Sequence, residues 1–98
     1  MLSLQEIMAA TGGRCENMRE LVFSGITTDS RVESRGELFV ALCGERFDGH
    51  AYCQMALEHG AAAVLVSKPV PELPAGTVVI TVEDTLLAYQ QIAHAYRL

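Results

Sequence analysis

Ninety-eight residues make one domain of ordinary size, with a single modest core that buries roughly 60–65% of the unfolded surface. The chain is 50% hydrophobic and 19% charged, which excludes a disordered segment, and no apolar run approaches the ~20 residues of a membrane-spanning helix. Twelve acidic against seven basic residues give a net charge of −5, with Lys68 the only lysine, which disfavours nucleic-acid partners that need phosphate neutralisation.

That lysine also excludes one chemistry. A phosphate-binding loop of the G-x-x-x-x-G-K-[ST] type needs a hydroxyl residue after its lysine, and Lys68 is followed by Pro69. Cys15, Cys43 and Cys53 form an odd, irregularly spaced set that suggests no disulfide framework and fits a reducing compartment. Cys43, His50, Cys53 and His59 lie close in sequence, yet no C-x₂₋₄-C pair is present. Zinc is therefore disfavoured, and the cysteines read as small apolar groups. No basic region leads into an apolar stretch at the N-terminus, so no secretory signal is expected.

In chain order, Ser3 and Glu6 have capping-box spacing and Leu2 and Ile7 the positions of a hydrophobic staple, which predicts a short helix ended by Gly12-Gly13. Leu21–Phe23 and Gly25–Thr28 read as short strands, and the polar stretch 29–37 as a loop. Leu38–Leu42 is a continuous apolar run, as in a strand covered on both faces. Gly44–Gly49 is the next loop. Asp48 then caps a helix with Tyr52, Cys53, Ala56 and Leu57 on its apolar face and Gly60 at its end. Ala63–Val66 is a buried strand, the proline-bearing stretch 67–76 a stiff loop, and Thr77–Val82 a β-branched strand. Asp84 caps a last helix bearing Ala88, Tyr89, Ile92, Ala93 and Tyr96 on one face. The order predicts an α/β fold, a small mixed sheet with flanking helices, whose 38–66 crossover is a right-handed βαβ unit. No stop signal closes the final helix before Leu98, and the chain is expected to continue into a further domain.

Two loops carry the chemistry, Thr27-Thr28-Asp29-Ser30-Arg31 and Gly44-Glu45-Arg46-Phe47-Asp48-Gly49-His50. Both leave the ends of neighbouring predicted strands, where open α/β sheets bind ligands. Hydroxyls, guanidinium groups and helix N–H groups suit a phosphate or diphosphate, and the aromatic ring suits a base. The same residues have plain structural readings. Asp29 orders a turn, Asp48 caps a helix, Arg31 and Arg46 pair with Glu33 and Glu45, Phe47 fills the core, and His50 is structural. Spacing alone leaves both readings open. There is no nucleophile elbow and no catalytic triad spacing.

The motifs do resemble a family. Asp29-Ser30-Arg31, Gly36-Glu37-Leu38-Phe39-Val40-Ala41, the loop from Gly44 to His50, and Gly60-Ala61-Ala62-Ala63-Val64-Leu65-Val66 occur in the order and spacing of the N-terminal domain of Mur ligases. The loop and Ser67-Lys68-Pro69 are most similar to the branch that adds D-alanyl-D-alanine. The branch adding the third peptide residue, which more often carries Arg after its Asp-Gly pair, is the alternative. A stand-alone nucleotide- or anion-binding module is the reading from another class.

The resemblance implies that residues 1–98 form a cytoplasmic domain holding the UDP end of UDP-N-acetylmuramoyl-tripeptide. ATP and Mg²⁺ would belong to a central domain and D-alanyl-D-alanine to a C-terminal one, with an acyl phosphate as intermediate. By position Thr28 and Ser30 contact the uridine diphosphate, and Glu45, Arg46 and Phe47 match the second loop around the nucleotide. Asp29, Asp48, Gly44 and Gly49 shape the loops, with Gly44 the position where a positive φ would make a side chain harmful. Arg31 and His50 receive no role. Within this stretch the resemblance implies no catalytic residue, no metal ligand and no cofactor. Nucleic acid and membrane are not expected partners.

Overall fold

The computed structural model describes residues 2–96. The expected continuation past Leu98 lies outside the described residues. Ser3 and Glu6 close the capping box in both directions, each bond 3.0 Å, and start α1 (Leu4–Thr11). Gly12 ends it with φ 67°, its N–H donating to the Met8 carbonyl. Leu2 and Ile7, the staple pair, are both buried.

The main sheet has five strands in the order β2 (Arg14–Glu16), β7 (Val78–Thr81), β6 (Ala63–Val66), β5 (Leu38–Val40), β4 (Ile26–Thr27). The last four run parallel, and β2 is antiparallel to β7 with Cys15 opposite Ile80. The mixed α/β sheet expected from the element order is thus present. Two pairings were not legible in the pattern. Arg14–Glu16 is an edge strand whose polar residues flank one half-buried position, Cys15. Val22–Phe23, here β3, joins no main-sheet strand and pairs antiparallel with β1 (Leu2–Ser3).

Continuous apolar runs follow from burial on both faces. Leu38, Val40, Ala63, Leu65, Val78 and Ile80 face one core with α1 and α3 (Thr85–Tyr96). Phe39, Ala41, Val64 and Val66 face a second core with Cys53 and Ala56 of α2 (Cys53–Glu58). Burying each such Val, Leu or Ile contributes roughly 1.5–3 kcal/mol. Asp84 caps α3 as expected, its Oδ1 accepting from the N–H groups of Leu86 and Leu87.

The crossover helix departs from expectation at its start. Asp48 caps a 3₁₀ turn, Gly49–Tyr52, and the α-helix begins only at Cys53. Tyr52 therefore points outward, 37% exposed, instead of joining the buried face of Cys53 and Ala56.

Candidate functional site

The loops after β4 and β5 leave the C-terminal ends of adjacent parallel strands and face each other across an open cleft of about 440 Å³. Thr28, Asp29, Ser30 and Arg31 line one side, Phe47 and Tyr52 the other. The first loop is organised by itself. Thr27 Oγ1 accepts from the Asp29 N–H at 3.1 Å. Asp29 Oδ1 accepts from the Arg31 N–H at 2.9 Å, and the two carboxylate oxygens grip the Arg31 guanidinium at 3.0 and 3.1 Å. Those Arg31 hydrogen bonds hold the Asp29 carboxyl below the usual carboxylate range. Arg31 thus pairs with Asp29 and not with Glu33.

Thr28 Oγ1 makes no hydrogen bond among the described residues. Ser30 is 7% exposed, and its hydroxyl donates only to Met55 Sδ, at 3.7 Å. Both hydroxyls keep capacity for a ligand. From below, His59 Nδ1 donates to the Ser30 carbonyl at 2.7 Å, and the Ser34 N–H donates to the His59 carbonyl at 2.7 Å. Gly60, at φ 107°, lies so near that a Cβ would sit 2.1 Å from the Ser34 carbonyl oxygen. The end of α2 therefore seats the first loop against the sheet.

The second loop is organised at long range. Asp48 Oδ1 accepts from the His50 N–H at 2.9 Å and from His50 Nδ1 at 2.6 Å, and Asp48 Oδ2 accepts from Lys68 Nζ. The Ser67 N–H donates to His50 Nε2 at 2.9 Å, which fixes the proton on Nδ1. The Lys68 ammonium, with the His50 N–H groups, drives the Asp48 carboxyl far below the carboxylate range, and Asp48 in turn raises Lys68. His50 is 5% exposed. The Asp-Gly-His turn and the Ser-Lys pair, distant in sequence, are two halves of one brace.

What the brace presents is Phe47, stacked on Tyr52 with ring centroids 5.5 Å apart and planes 8° apart. Of the expected nucleotide contacts, Thr28, Ser30 and Phe47 line the cleft, together with Arg31; Glu45 and Arg46 are exposed and do not. Tyr52 was missed because the helical pattern placed it on the apolar face. Gly44 requires a correction. It has no positive φ, and a Cβ there meets nothing within 4 Å. Gly49 is the constrained position, where a Cβ would lie 2.8 Å from both the N and O of Leu42. A larger hollow, about 760 Å³ between the end of α1 and the start of α3, mixes Arg14 with Glu83 and Asp84 and shares no residue with the cleft.

Residues 22–97 match a family model described as "Mur ligase family, catalytic domain". The chain belongs to the Mur ligase family. A UDP-N-acetylmuramoyl-tripeptide–D-alanyl-D-alanine ligase of Bacillus subtilis is 48% identical over 77 residues, covering 79% of this chain and 17% of the relative. A UDP-N-acetylmuramoyl-L-alanyl-D-glutamate–2,6-diaminopimelate ligase of Gloeobacter violaceus is 34% identical over 95 residues, covering 97% of this chain and 19% of the relative. A crystal structure of MurF from Acinetobacter baumannii superposes with a TM-score of 0.78 at 31% identity, over 94% of this chain and 20% of that one. The Mur ligase segment described here thus spans only about a fifth or less of the length of the relatives it matches. Among the described residues, no helix is long and apolar enough to cross a membrane.

Proposed function

We propose that this chain is the N-terminal, UDP-substrate-binding domain of a cytoplasmic Mur ligase that adds D-alanyl-D-alanine to UDP-N-acetylmuramoyl-tripeptide. The observation that carries the reading is the cleft itself. The Thr28 and Ser30 hydroxyls and the Arg31 guanidinium stand across from the Phe47–Tyr52 aromatic pair. Hydroxyls and a guanidinium suit a diphosphate, and a ring face suits a base. Among the described residues the cleft holds no histidine, no thiol and no carboxylate other than the Arg31-paired Asp29, so its hydroxyls have no free base beside them. UDP is a handle remote from the reacting carboxylate, so holding it supplies affinity and positioning.

ATP and Mg²⁺ do not fit the residues of this chain, whose only lysine precedes a proline. They belong, in this reading, to the remaining four-fifths of the ligase, as does the D-alanyl-D-alanine site. The diaminopimelate ligase of Gloeobacter violaceus favours the second reading, a domain of the ligase that adds the third peptide residue. Against it stands His50, whose Nε2 accepts the Ser67 N–H, a bond that the arginine more usual in that branch has no lone pair to make.

Titration with UDP-N-acetylmuramoyl-tripeptide, followed by amide NMR, tests the proposal. Shifts should cluster at residues 27–31, 47 and 52. Shifts centred on Arg14 and Asp84 instead, or none at millimolar ligand, would overturn it.

A further inference from the structure

We propose that Cys43, Asp48 and His50 form a binding site for a borderline-soft divalent cation of the zinc type. Cys43 Sγ lies 3.2 Å from Asp48 Oδ1 and 3.3 Å from His50 Nδ1, and the latter two atoms are 2.6 Å apart. Among the described residues this is the one group of His, Cys and acidic side chains whose ligand atoms converge in this way. Zinc takes a thiolate, an imidazole and a carboxylate at about 2.0–2.3 Å, and open sites keep a fourth position for water. Cys43 is exposed and the Asp48 side chain is 40% exposed, so the fourth position faces solvent. His50 is buried, with Ser67 Oγ 3.3 Å from its Nε2.

As the hydrogen bonds stand, two protons converge on one oxygen. The Cys43 thiol and His50 Nδ1–H both point at Asp48 Oδ1. One divalent cation replaces both. The thiol proton leaves to solvent as the thiolate binds. The imidazole proton passes to Nε2, where Ser67 Oγ, 3.3 Å away, accepts it, and the bond from the Ser67 backbone N–H to Nε2 is given up. Lys68 holds Oδ2 and leaves Oδ1 to the cation. The tautomer change and the nearby ammonium both oppose binding, so the site is one of moderate affinity. The set differs from the four residues that sequence proximity brings to mind. Cys53 is buried in the second core and His59 supports Ser30.

Cobalt(II) accepts the same ligands, and its bond to thiolate absorbs in the near ultraviolet, so it is the probe. Titrated into the reduced full chain, it should raise that absorption to one equivalent. Excess zinc should abolish the band, Cys43→Ser should lack it and Cys15→Ser should keep it. On adding zinc, long-range ¹H–¹⁵N spectra should move the His50 proton from Nδ1 to Nε2. No band, a band unchanged in Cys43→Ser, or a band that also needs Cys15 overturns the site. So does a His50 that keeps its Nδ1 proton with zinc bound.

Discussion

The two loops that line the cleft carry similar numbers of polar groups and use them in opposite ways. In the loop 27–31 every bond made by the loop's own side chains, except that of Ser30 to Met55, stays within the loop. In the loop 43–50 Asp48 and His50 bond to each other and also reach across to Lys68 and Ser67, with His50 buried. One loop leaves the Thr28 hydroxyl without a protein partner among the described residues and the Ser30 hydroxyl with only a weak one, whereas the other ties Asp48 and His50 to a neighbouring segment. A motif rich in Asp, Arg and His is therefore no measure of how much of it touches a ligand. The partner chemistry of each side chain decides that.

The sharpest way to break this contrast is at the second loop's tightest point. Gly49→Ala should destabilise the protein by about 3 kcal/mol, because the new Cβ meets the backbone of Leu42 and neither side can yield. Gly44→Ala, in open space, should stay within about 0.5 kcal/mol of wild type. Urea denaturation midpoints compare the two, and equal losses would show that the brace does not depend on that close approach.

The architecture was legible because apolar runs, caps and turn residues agree at each element. Ser3–Glu6, Asp84 and the buried strand Ala63–Val66 appear where the pattern puts them, and the apolar run from Leu38 gives a buried strand that stops at Val40, short of the expected Leu42. The edge strand Arg14–Glu16 was not, since its pairing to β7 is made by backbone atoms and its side chains alternate around a single half-buried cysteine. At the cleft, Thr28, Ser30 and Phe47, expected from the motifs, are among the lining residues, whereas the bonds of His50 and Lys68 were hidden. Their bonds span 17 and 20 residues, and spacing within a motif says nothing about a partner that lies beyond a helix and a strand.

Ser30→Ala sharpens the other side of the comparison. The hydroxyl's one protein bond is a weak one to sulfur, so folding should be nearly unchanged. Affinity for UDP-N-acetylmuramoyl-tripeptide should fall by about 0.5–1.5 kcal/mol, or ~3 if the hydroxyl meets a charged phosphate oxygen. In a complete ligase the loss should raise KM more than it lowers kcat. A collapsed kcat at constant KM would contradict a handle-binding role.

Lys68→Met should lower the melting temperature by a few degrees at pH 7, with a pH signature that identifies Asp48 as its partner. The folded Asp48 carboxyl lies below its unfolded value of about 3.9, so its contribution is present above that pH and fades as pH falls toward the folded value. The folded Lys68 lies above its unfolded value of about 10.4, so its share is lost only as pH rises past that. The gap between wild type and variant should therefore be constant from about pH 5 to 9 and narrow below about pH 4. Thermal melts in which the gap persists unchanged at pH 2–3 would assign the lysine's effect elsewhere.

The smallest expected effect separates turn from charge at Asp29. Asp29→Asn keeps a carbonyl oxygen for the Arg31 N–H and gives up the two-point grip on the guanidinium; Asp29→Ala gives up both. Because the ion pair is largely solvated, with the Arg31 side chain 82% exposed, the grip itself adds little to the fold. The turn that places Ser30 is another matter, since Asx-type acceptors order the backbone they cap. Nucleotide affinity in Asp29→Asn should therefore stay within about twofold of wild type, and Asp29→Ala should bind more weakly than either. Equal losses in the two variants would mean that the carboxylate's hold on Arg31, and not the turn, is what the first loop contributes to the cleft.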